Sequence, residues 1–378
     1  MCMTIEFQMY DYMEDNEKNE KDEKDNIDKH EPIGEYIINI FGRTEDDKSV
    51  YVKVTGYKPY FYIGLPEEWF HNCRDEVNRK LAIFENWLKS SDNSKVWFKY
   101  KNTLKNISYV KKKKTEGFTF NTETGKEHKF GFAKLEFSNS DGMKKYASFF
   151  DNNEIKVPRI IINSTKFKLY ESNLAPMLRH FHILDISGCS WISIEIYNKI
   201  KNKNKKSYCD IELITDWRNL KRENKNINAP LRIASFDIEC FSQDDQFPQA
   251  SRAKDKIIQI GVTYTKIGQS IPYRKWIACL KQTDPIDSVE VISCTNEAAV
   301  VKAFINEINE NDSDILAGYN IFGFDEKYIY DRCENFLGMK LAICYLSKLK
   351  DKQCEFKEIK LASSALGENF LKFWDTPG

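Results

Sequence analysis

The sequence predicts a mixed α/β chain in which a β-rich amino-terminal domain, residues 1–228, precedes an α/β domain, residues 229–378. The length of 378 residues is typical of two domains. Strand-like runs dominate the first part, whereas strand-like and helix-like periods alternate after residue 229. The polar stretch NKNINAP, which ends in a proline, is the best candidate for the boundary between them.

The composition indicates packed cores and no excess of either charge. Hydrophobic residues make up 41% of the chain and aromatic residues 13%, which is enough for packed cores. Lys+Arg and Asp+Glu both number 57, so net charge gives no argument for a polyanionic partner. Any surface for nucleic acid must therefore come from a local cluster of positive charge.

Cysteine spacing and the absence of long apolar runs exclude several classes of protein. Ten cysteines include no Cys-x-x-Cys pair, so neither a zinc ribbon nor a disulfide framework is expected. The amino-terminal sequence has no apolar h-region, and no run approaches about 18 apolar residues, so neither a secretory signal nor a membrane span is expected. We predict an intracellular protein with reduced thiols.

The first elements of the amino-terminal domain are an insertion and a hairpin. Residues 14–31, EDNEKNEKDEKDNIDKHE, have almost no apolar side chain and cannot offset their ordering entropy, which predicts a disordered insertion. After Pro32, two strand-like runs flank the turn sequence TEDDKS, which predicts a β-hairpin. Core packing is favoured over base stacking for a group of aromatic residues at its end, namely Tyr57, Tyr60, Phe61 and Tyr62.

Two helices are predicted further along this domain. Residues 67–91 have a helical period, and residues 167–193 read as a helix followed by a strand, with Pro176 in the first turn. His180 and His182 would point to different faces of that second helix and have no accompanying ligand cluster. We interpret both histidines as structural.

Four consecutive lysines form the strongest basic run of the chain. They lie beside aromatic residues, an arrangement that suits the backbone of a nucleic acid. A solvated loop between strands explains the same pattern, and the sequence does not decide between the two. The lysines are Lys111, Lys112, Lys113 and Lys114.

The second domain begins with LRIASFDIEC, an apolar run of strand length that ends in two carboxylates. Asp237 and Glu239 are two residues apart, so in a strand their side chains project from the same face. Two carboxylates on one face repel unless a cation or a proton lies between them, and such oxygen ligands suit Mg²⁺ or Mn²⁺. Taken alone, the pattern is explained equally by a solvated end of a strand.

The elements that follow predict a mixed sheet flanked by helices. In order they are a strand at 256–265, a β-rich segment at 273–294, a helix at 295–310 and a buried strand at Ile315–Ala317. Gly318 permits a sharp exit from the last strand. Asp325 then opens a helix, where an amino-terminal cap is the alternative explanation for an acidic residue.

Taken together, DIE at 237–239 and GYNIFGFDEKYI at 318–329 resemble the first two exonuclease motifs of family B DNA polymerases, Asp-x-Glu and Asn-x-x-x-Phe-Asp. The flanking sequences APLRIASFDIEC, FPQASRAKDKIIQIGV and SSALGENFLKFWDTPG resemble the delta-like branch of eukaryotes and giant viruses. Upstream, YESNLAPMLRHFHILDISGCSWI and TDWRNL resemble the amino-terminal domain of that branch. The resemblance covers nearly the whole chain apart from residues 1–4 and the charged insertion.

This resemblance implies an RNase H-like fold for residues 229–378 and the 3′–5′ proofreading exonuclease of a replicative DNA polymerase. The reaction would be phosphodiester hydrolysis with two Mg²⁺ or Mn²⁺ ions. By motif, Asp237, Glu239 and Asp325 would be the catalytic carboxylates and metal ligands.

The resemblance also implies the nucleic-acid contacts. Asn320, Phe324 and Phe236 would bind the substrate, which is the frayed 3′ end of a primer. The amino-terminal domain would contact single-stranded template DNA, with Lys111–Lys114 as candidate contacts. The protein would act where DNA is replicated, in the nucleus or in a cytoplasmic viral factory.

The third exonuclease motif of the family, Tyr-x-x-x-Asp, has no match. None of the nineteen tyrosines is followed by an aspartate four residues later. In the family this motif supplies a fourth carboxylate and orients the attacking water, and the polymerase palm lies beyond it. We therefore expect an incomplete exonuclease domain with severely impaired activity and no polymerase activity from this chain alone. The rest of the polymerase would be a missing part or a separate chain.

Two other functions stay open. The first is a non-catalytic module that binds single-stranded DNA or a polymerase partner. The second is a self-sufficient small exonuclease, which is disfavoured because no matching fourth carboxylate or terminal histidine follows Asp325, and the last histidine is His182. The sequence does not identify a sliding-clamp partner.

Overall fold

A computed structural model describes most of the chain. The described residues are 4–17, 34–66, 69, 73–90, 100–114, 129–339, 346–350, 352–363, 367–376 and 378. They divide into two units, described separately below. Unit 1 contains Met1–Met13, Asn39–Lys53 and Ile186–Gly378, and unit 2 contains Glu14–Ile38 and Val54–Asp185. The boundary predicted near residue 228 stays a prediction.

The described residues form twenty strands and five α-helices, numbered here in chain order. The strands are β1 Ile5–Glu17, β2 Glu35–Arg43, β3 Ser49–Thr55, β4 Tyr60–Gly64, β5 Leu104–Lys112, β6 Phe130–Phe137, β7 Ile155–Val157, β8 Ile161–Thr165, β9 Leu169–Tyr170, β10 Trp191–Ile194, β11 Asn198–Lys199, β12 Ile211–Asp216, β13 Leu220–Glu223, β14 Arg232–Cys240, β15 Ile257–Lys266, β16 Arg274–Leu280, β17 Glu290–Cys294, β18 Ile315–Ala317, β19 Glu355–Ser363 and β20 Gly367–Asp375. The helices are α1 Arg74–Lys89, α2 Ser140–Asn152, α3 Pro176–Ile183, α4 Glu297–Glu310 and α5 Asp325–Arg332. The predicted mixed, strand-rich α/β fold is confirmed.

A five-stranded mixed sheet in unit 1 carries the candidate site. Its strand order is β17-β16-β15-β14-β18, with β14 antiparallel to β15 and parallel to β18. The predicted pairing of residues 256–265 beside the first strand is thus confirmed. Helix α4 packs Phe304 against Phe236 of β14, with ring centroids 5.2 Å apart, which joins the helix to the centre of the sheet.

A second sheet of seven strands has the order β11-β12-β3-β2-β1-β10-β13. It contains the predicted hairpin, because β2 and β3 are joined by residues 44–48, where Asp47 adopts a left-handed φ of 65°. The disordered insertion predicted over residues 14–31 is wrong for its first four residues. Residues 14–17 continue β1, where the hydroxyl of Tyr36 donates to Glu14 at 2.7 Å, and residues 18–31 lie outside the described residues.

Unit 1 also contains a buried cluster of charged side chains. Arg43 and Asp314 are both fully buried, and Arg43 Nε lies 2.5 Å from Asp314 Oδ2. Lys348 Nζ donates to Asp314 Oδ1 at 2.7 Å, and the backbone N–H of Arg232 donates to Asp314 Oδ2 at 2.9 Å. Asp312 accepts from Arg43 at 2.9 Å and from Lys348 at 3.0 Å. Each buried charge therefore has opposite partners.

Unit 2 is built on a four-stranded sheet in the order β5-β6-β4-β9. Helices α1 and α2 contribute apolar side chains to one core with this sheet, including Phe84 from α1 and Phe150 from α2. The helix predicted over residues 67–91 is confirmed over the shorter range of α1, Arg74–Lys89, and the helix with Pro176 in its first turn is confirmed as α3. None of the helices in the described part of the chain combines the length and apolar character needed to cross a membrane.

His180 of α3 is fully buried, and its ring meets the Tyr57 ring edge-on at 5.2 Å. Burial lowers the pKa of His180 to about 4, well below its ordinary value of 6.5. Between pH 6.5 and about 4, His180 is protonated in the unfolded chain and neutral in the folded chain. The free energy of unfolding therefore decreases as pH falls through this range. We expect a loss of about 2 kcal/mol in the free energy of unfolding between about pH 7.5 and about pH 5.

Urea titrations at the two pH values measure this loss. The variant His180→Phe should lose much of the pH dependence, whereas His182→Gln, which changes an exposed histidine of the same helix, should retain it. An unchanged pH dependence in His180→Phe would show that other groups cause the acid sensitivity.

Candidate active site

Strand β14 presents two carboxylates on one face at its carboxyl end. Burial alternates along the strand, with Phe236 and Ile238 buried and Asp237 and Glu239 exposed. This is the alternation expected for a sheet with one face against a core. Asp237 and Glu239 therefore lie outside the core on the same face.

Asp325 lies beside this strand because the neighbouring strand ends early. The short β18 pairs with β14 only as far as Ala317, opposite Ser235, so the edge of β14 is unpaired beyond that point. The Asp325 carboxylate accepts the backbone N–H of Ile238 at 3.2 Å. Asp325 is the first residue of α5 and is buried, with 2% of its surface exposed. A carboxylate at this position thus satisfies a strand amide.

Asp237 and Asp325 are close enough to affect each other's charge. Burial raises the pKa of Asp325 to about 6, the N–H of Ile238 opposes the rise, and the neighbouring Asp237 carboxylate adds to it. A side-chain hydrogen bond to Asp237 raises this pKa further. Two facing carboxylates, one of them buried, are stabilised by a shared proton or by a cation.

Asp237 and Asp325 are the two carboxylates at this site that could hold a metal ion. The oxygen ligands of Asp237 and Asp325 are the type that Mg²⁺ and Mn²⁺ prefer. In the part of the chain that the structure describes, no group of three or more His, Cys, Asp or Glu side chains is gathered closely enough to hold a metal ion. Glu239 shares the exposed face with Asp237 but does not complete such a group.

Asn320 and Phe324 flank the turn that brings Asp325 to the strand. Asn320 is exposed and has a left-handed φ of 55°, and its carbonyl accepts the N–H groups of Gly323 at 2.9 Å and Phe324 at 3.1 Å. A Cβ on Gly323 would lie 2.3 Å from Asn320 Oδ1, so a side chain there would displace the amide. The turn therefore holds the Asn320 side chain at the surface, against the backbone of Gly323.

Gly318 allows this turn to pass close to β14. A Cβ at this position would lie 2.6 Å from the carbonyl oxygen of Phe236 and 2.3 Å from Cγ2 of Ile321. The glycine is thus needed for a close approach of two backbones. The strand before it differs from expectation, because Ile315 is 36% exposed rather than buried, as suits a short strand at the sheet edge.

Phe236 is a buried core residue beneath the strand end that carries Asp237. Its side chain is 2% exposed and lies 6.2 Å from the Trp374 ring in a stacked arrangement, in addition to its contact with Phe304. These contacts fix the strand that carries Asp237. Direct contact of Phe236 with substrate stays a prediction.

Exposed aromatic rings lie in the turn before Asp325 and in a loop that contacts Phe324, and the motif reading did not include them. Phe247 is 71% exposed and meets Phe324 edge-on with ring centroids 5.1 Å apart. Its loop is ordered by Asp255, which accepts the N–H of Gln249 at 2.9 Å. Tyr319 is 93% exposed and Phe322 46%. In the sequence, the only signal for these residues was aromatic character within polar loops.

Glu326 is a second buried acid that sequence reasoning missed. It is 3% exposed, and its Oε2 accepts the backbone N–H of Trp374 at 2.7 Å. Burial raises the pKa of Glu326 to about 7. The residue connects the start of α5 to β20, and its adjacency to Asp325 is the one signal that the sequence contained.

The predicted basic run is divided between the two faces of the sheet in unit 2. Lys111 and Lys112 end β5, and Lys113 and Lys114 follow it. Lys112 Nζ lies 4.6 Å from the centre of the Tyr62 ring, and Lys114 Nζ lies 4.1 Å from that of Phe130. The run is therefore a strand end with alternating side chains, and contact with DNA stays a prediction.

Comparison with known proteins relates this geometry to one family. The family model described as DNA polymerase family B, exonuclease domain, matches residues 167–370. The DNA polymerase of Acanthamoeba polyphaga mimivirus is 35% identical over 299 residues, covering 79% of this chain and 17% of that protein. The DNA polymerase of Paramecium bursaria Chlorella virus NY2A is 30% identical over 356 residues, covering 93% of this chain and 35% of that protein.

Eukaryotic and archaeal proteins are similar as well. The DNA polymerase delta catalytic subunit of Schizosaccharomyces pombe is 27% identical over 346 residues, covering 90% of this chain and 30% of that protein. The solved structure of the family B DNA polymerase from Pyrobaculum calidifontis is 16% identical, covers 88% of this chain and 33% of that chain, and has a TM-score of 0.50, a likeness of fold. The chain thus spans between about a sixth and about a third of the length of these relatives.

Proposed function

Because the chain belongs to DNA polymerase family B, we propose that residues 229–378 form a 3′–5′ exonuclease domain that removes nucleotides from the 3′ end of a DNA strand. The wider protein to which this activity belongs would be a replicative polymerase that proofreads. The observation that carries the proposal is the pair of carboxylates, Asp237 and Asp325, at the end of β14.

The positions of the two acids support this function. Both come from the two sequence motifs that resemble those of the family, although they are 88 residues apart in the chain (325 − 237). The fold places one on the exposed face of a strand and the other at the first residue of a helix. A helix amino terminus and a strand amide stabilise the ionised form of Asp325, while burial and Asp237 oppose it. A cation between the two carboxylates would offset the effects of burial and of mutual repulsion on Asp325.

The protein residues have separate roles in this proposal. Asp237 and Asp325 would hold a divalent metal ion, with Glu239 as the nearest further carboxylate on the same face. When bound, the metal would supply charge stabilisation for phosphodiester hydrolysis, as divalent metals do in the exonuclease domains of this family. Asn320 would orient the terminal nucleotide through its side-chain amide, and Phe324 would support the adjacent carboxylate.

Exposed rings would position the bases of the frayed strand. Bases stack on aromatic side chains without strong sequence preference, which suits an enzyme that removes any misincorporated nucleotide. Phe247, Tyr319 and Phe322 all present exposed surface close to Phe324 or within the same turn. The same rings would hold single-stranded rather than paired DNA, since paired bases do not offer their faces.

Replacing Tyr319 by alanine should raise KM for single-stranded DNA about tenfold and change kcat by less than about threefold, because a stacking contact is lost while the carboxylates remain. Steady-state digestion of a labelled oligonucleotide measures both constants. Tyr273→Ala is the matched control, because Tyr273 is 44% exposed and packs near Lys266, at the opposite end of β15 from the site. A large fall in kcat for Tyr319→Ala would contradict a role limited to binding.

The activity is tested with a 5′-labelled single strand of about 20 nucleotides. A ladder that shortens from the 3′ end, that requires Mg²⁺ or Mn²⁺ and that stops with EDTA supports the proposal. Binding of Mn²⁺ is measured in parallel by electron paramagnetic resonance on wild type and on the double variant Asp237→Asn/Asp325→Asn. Specific Mn²⁺ binding that the double variant loses supports the site even where turnover is slow.

Two results would contradict the proposal. The first is digestion from the 5′ end or at internal positions. The second is Mn²⁺ binding and digestion that are both unaffected by the double substitution. A chain that binds single strands tightly but neither binds Mn²⁺ nor digests DNA would favour the non-catalytic binding module.

A further inference from the structure

Residues 241–256 form the loop between β14 and β15, directly after the strand end that carries the carboxylates. The loop contains Phe247, whose ring is 71% exposed and meets Phe324 edge-on. All residues of the loop are described, and none belongs to a helix or a strand. The position of Phe247 therefore depends on the side chains that bind the backbone of this loop.

One face of α5 supports the loop. Phe324, Tyr328 and Arg332 recur every four residues, so their side chains lie along the same face of the helix. Phe324 contacts the Phe247 ring, and the hydroxyl of Tyr328 donates to the carbonyl of Asp255 at 2.9 Å. The helix that begins with a carboxylate of the site therefore also contacts the loop that carries an exposed ring.

Arg332 makes the largest number of hydrogen bonds on this face. Its side chain is 1% exposed, and its guanidinium binds Glu297, the first residue of α4, through Nε at 2.7 Å and Nη2 at 2.6 Å. Nη1 donates to the carbonyls of Ala250 at 3.2 Å and Arg252 at 2.7 Å, and Nη2 donates to that of Ala253 at 3.4 Å. A guanidinium has five N–H groups, and each of them has an acceptor here.

Asp255 fixes the part of the loop on both sides of Phe247. Its carboxylate is fully buried and accepts the N–H groups of Gln243 at 3.3 Å and Gln249 at 2.9 Å. The backbone N–H of Asp255 donates at 3.2 Å to the carbonyl of Arg252, which also accepts from the buried guanidinium. Loss of the guanidinium contacts would therefore loosen the segment that carries the ring.

We propose that Arg332 is a positioning residue, which holds the loop so that Phe247 stays against Phe324 and stacks on a base at the single-stranded 3′ end. This inference rests on the proposed function, because it takes a DNA strand with unpaired bases as the substrate. A loop that is ordered before binding costs less conformational entropy on binding. The bonds of Arg332 are to the loop and to Glu297, so its loss should affect substrate binding more than the chemical step.

A purely structural ion pair is the alternative explanation for Arg332 and Glu297. The variant Arg332→Lys separates the two explanations, because lysine retains the positive charge beside Glu297 but has three N–H donors and no planar fork. It should therefore preserve the ion pair and lose contacts with the loop carbonyls.

Arg274→Lys is the matched control. Arg274 also pairs with a buried glutamate of α4, Glu307, through two hydrogen bonds of 2.8 and 3.0 Å. Glu307 lies at the other end of that helix from Glu297. The control therefore changes the same kind of ion pair without touching residues 241–256.

The first measurement is binding of a labelled oligothymidylate of about 20 nucleotides to the full chain, by fluorescence anisotropy in EDTA. We expect Phe247→Ala to raise Kd about tenfold and Arg332→Lys about fivefold, whereas Arg274→Lys should change Kd by less than about twofold. Digestion in Mg²⁺ should show the same rise in KM, with kcat changed by less than about threefold. Equal rises in Kd for the two lysine variants, or a fall in kcat without a rise in KM, would overturn the proposal.

A double-mutant cycle separates action through Phe247 from a general loss of structure. In the Phe247→Ala background the ring is already absent, so Arg332→Lys should raise Kd by less than about twofold further. If the two substitutions acted independently, their effects would multiply to about fiftyfold, and the proposal would be wrong.

Hydrogen exchange measures the loop without DNA, so it distinguishes failure of this inference from failure of the proposed function. Arg332→Lys should accelerate amide exchange at least about tenfold in peptides of residues 243–256 and leave peptides of β16 unchanged. Melting curves establish that the fold is retained. Unchanged exchange in the loop would overturn the proposal. If the wild-type chain binds single strands but digests none, the exonuclease proposal fails, whereas the Kd values and exchange rates still decide whether Arg332 positions Phe247.

Discussion

The variant Asp325→Asn is expected to lower the rate of 3′ digestion by at least about 100-fold, because it removes one of the two charges that would hold the metal ion. Asparagine preserves the size of the side chain and an oxygen that can accept the N–H of Ile238. It also removes the repulsion between two facing carboxylates. The variant should therefore fold, with a melting temperature equal to or above that of wild type in the absence of metal.

Asp331→Asn is the control for this prediction. Asp331 lies on the same helix, six residues after Asp325, and pairs with Lys327 near the surface. Its loss should change stability by less than about 0.5 kcal/mol and leave digestion and Mn²⁺ binding intact. Single-turnover digestion and Mn²⁺ binding measure the two effects. Equal rates for Asp325→Asn and wild type would remove Asp325 from the site.

The second large effect is expected from Asp314→Asn, which should lower the free energy of unfolding by about 3–5 kcal/mol. Burial alone would raise the pKa of Asp314, but Lys348 and Arg43 hold it below its ordinary value. Without the Asp314 charge, the buried positive charges of Arg43 and Lys348 lose one of the carboxylates that neutralise them. Breaking a buried pair by removing one partner is far costlier than losing a surface pair.

Urea unfolding measures this effect, with Asp46→Asn as control. Asp46 pairs with Lys48 in the β2–β3 turn, and its side chain is 67% exposed, so a change below about 0.5 kcal/mol is expected. The stabilisation by Asp314 is present above the ordinary Asp pKa and is lost as pH falls below about 4, because its folded pKa is depressed. A loss in Asp314→Asn no larger than in Asp46→Asn would show that the cluster contributes little.

Local patterns predicted the elements of the site well. The two-residue period placed Asp237 and Glu239 on one face, and the structure has them both exposed on β14. The helix that Asp325 opens was also predicted correctly. These features depend on a few neighbouring residues, so a local period is sufficient to find them.

The contacts between elements were not predictable in the same way. The N–H of Ile238 is available to Asp325 because β18 ends opposite Ser235, and the length of that pairing depends on residues 82 positions away (317 − 235). Burial of Glu326 likewise depends on Trp374 in a distant strand. A local sequence pattern does not determine how far distant strands pair or which of their residues come into contact.

The lysine run shows a different limit. As a sequence, Lys111–Lys114 is one cluster of charge, and it was treated as such. As a strand end, it is two pairs with different surroundings. The difference arises because neither reading of the run, a nucleic-acid contact or a solvated loop, placed it at the end of β5, where side chains alternate between faces.

The division of the chain into units has a consequence for synthesis. Most of unit 2 is the single segment Val54–Asp185, whereas unit 1 combines three segments that end with Ile186–Gly378. On a ribosome adding about 5–20 residues per second, the last 193 residues (378 − 185) take roughly 10–40 s. Arg43 is synthesised long before its ion-pair partner Asp314. The first residues of unit 1 therefore emerge well before the residues with which they pack. Nascent-chain protease resistance should therefore appear first in residues 54–185.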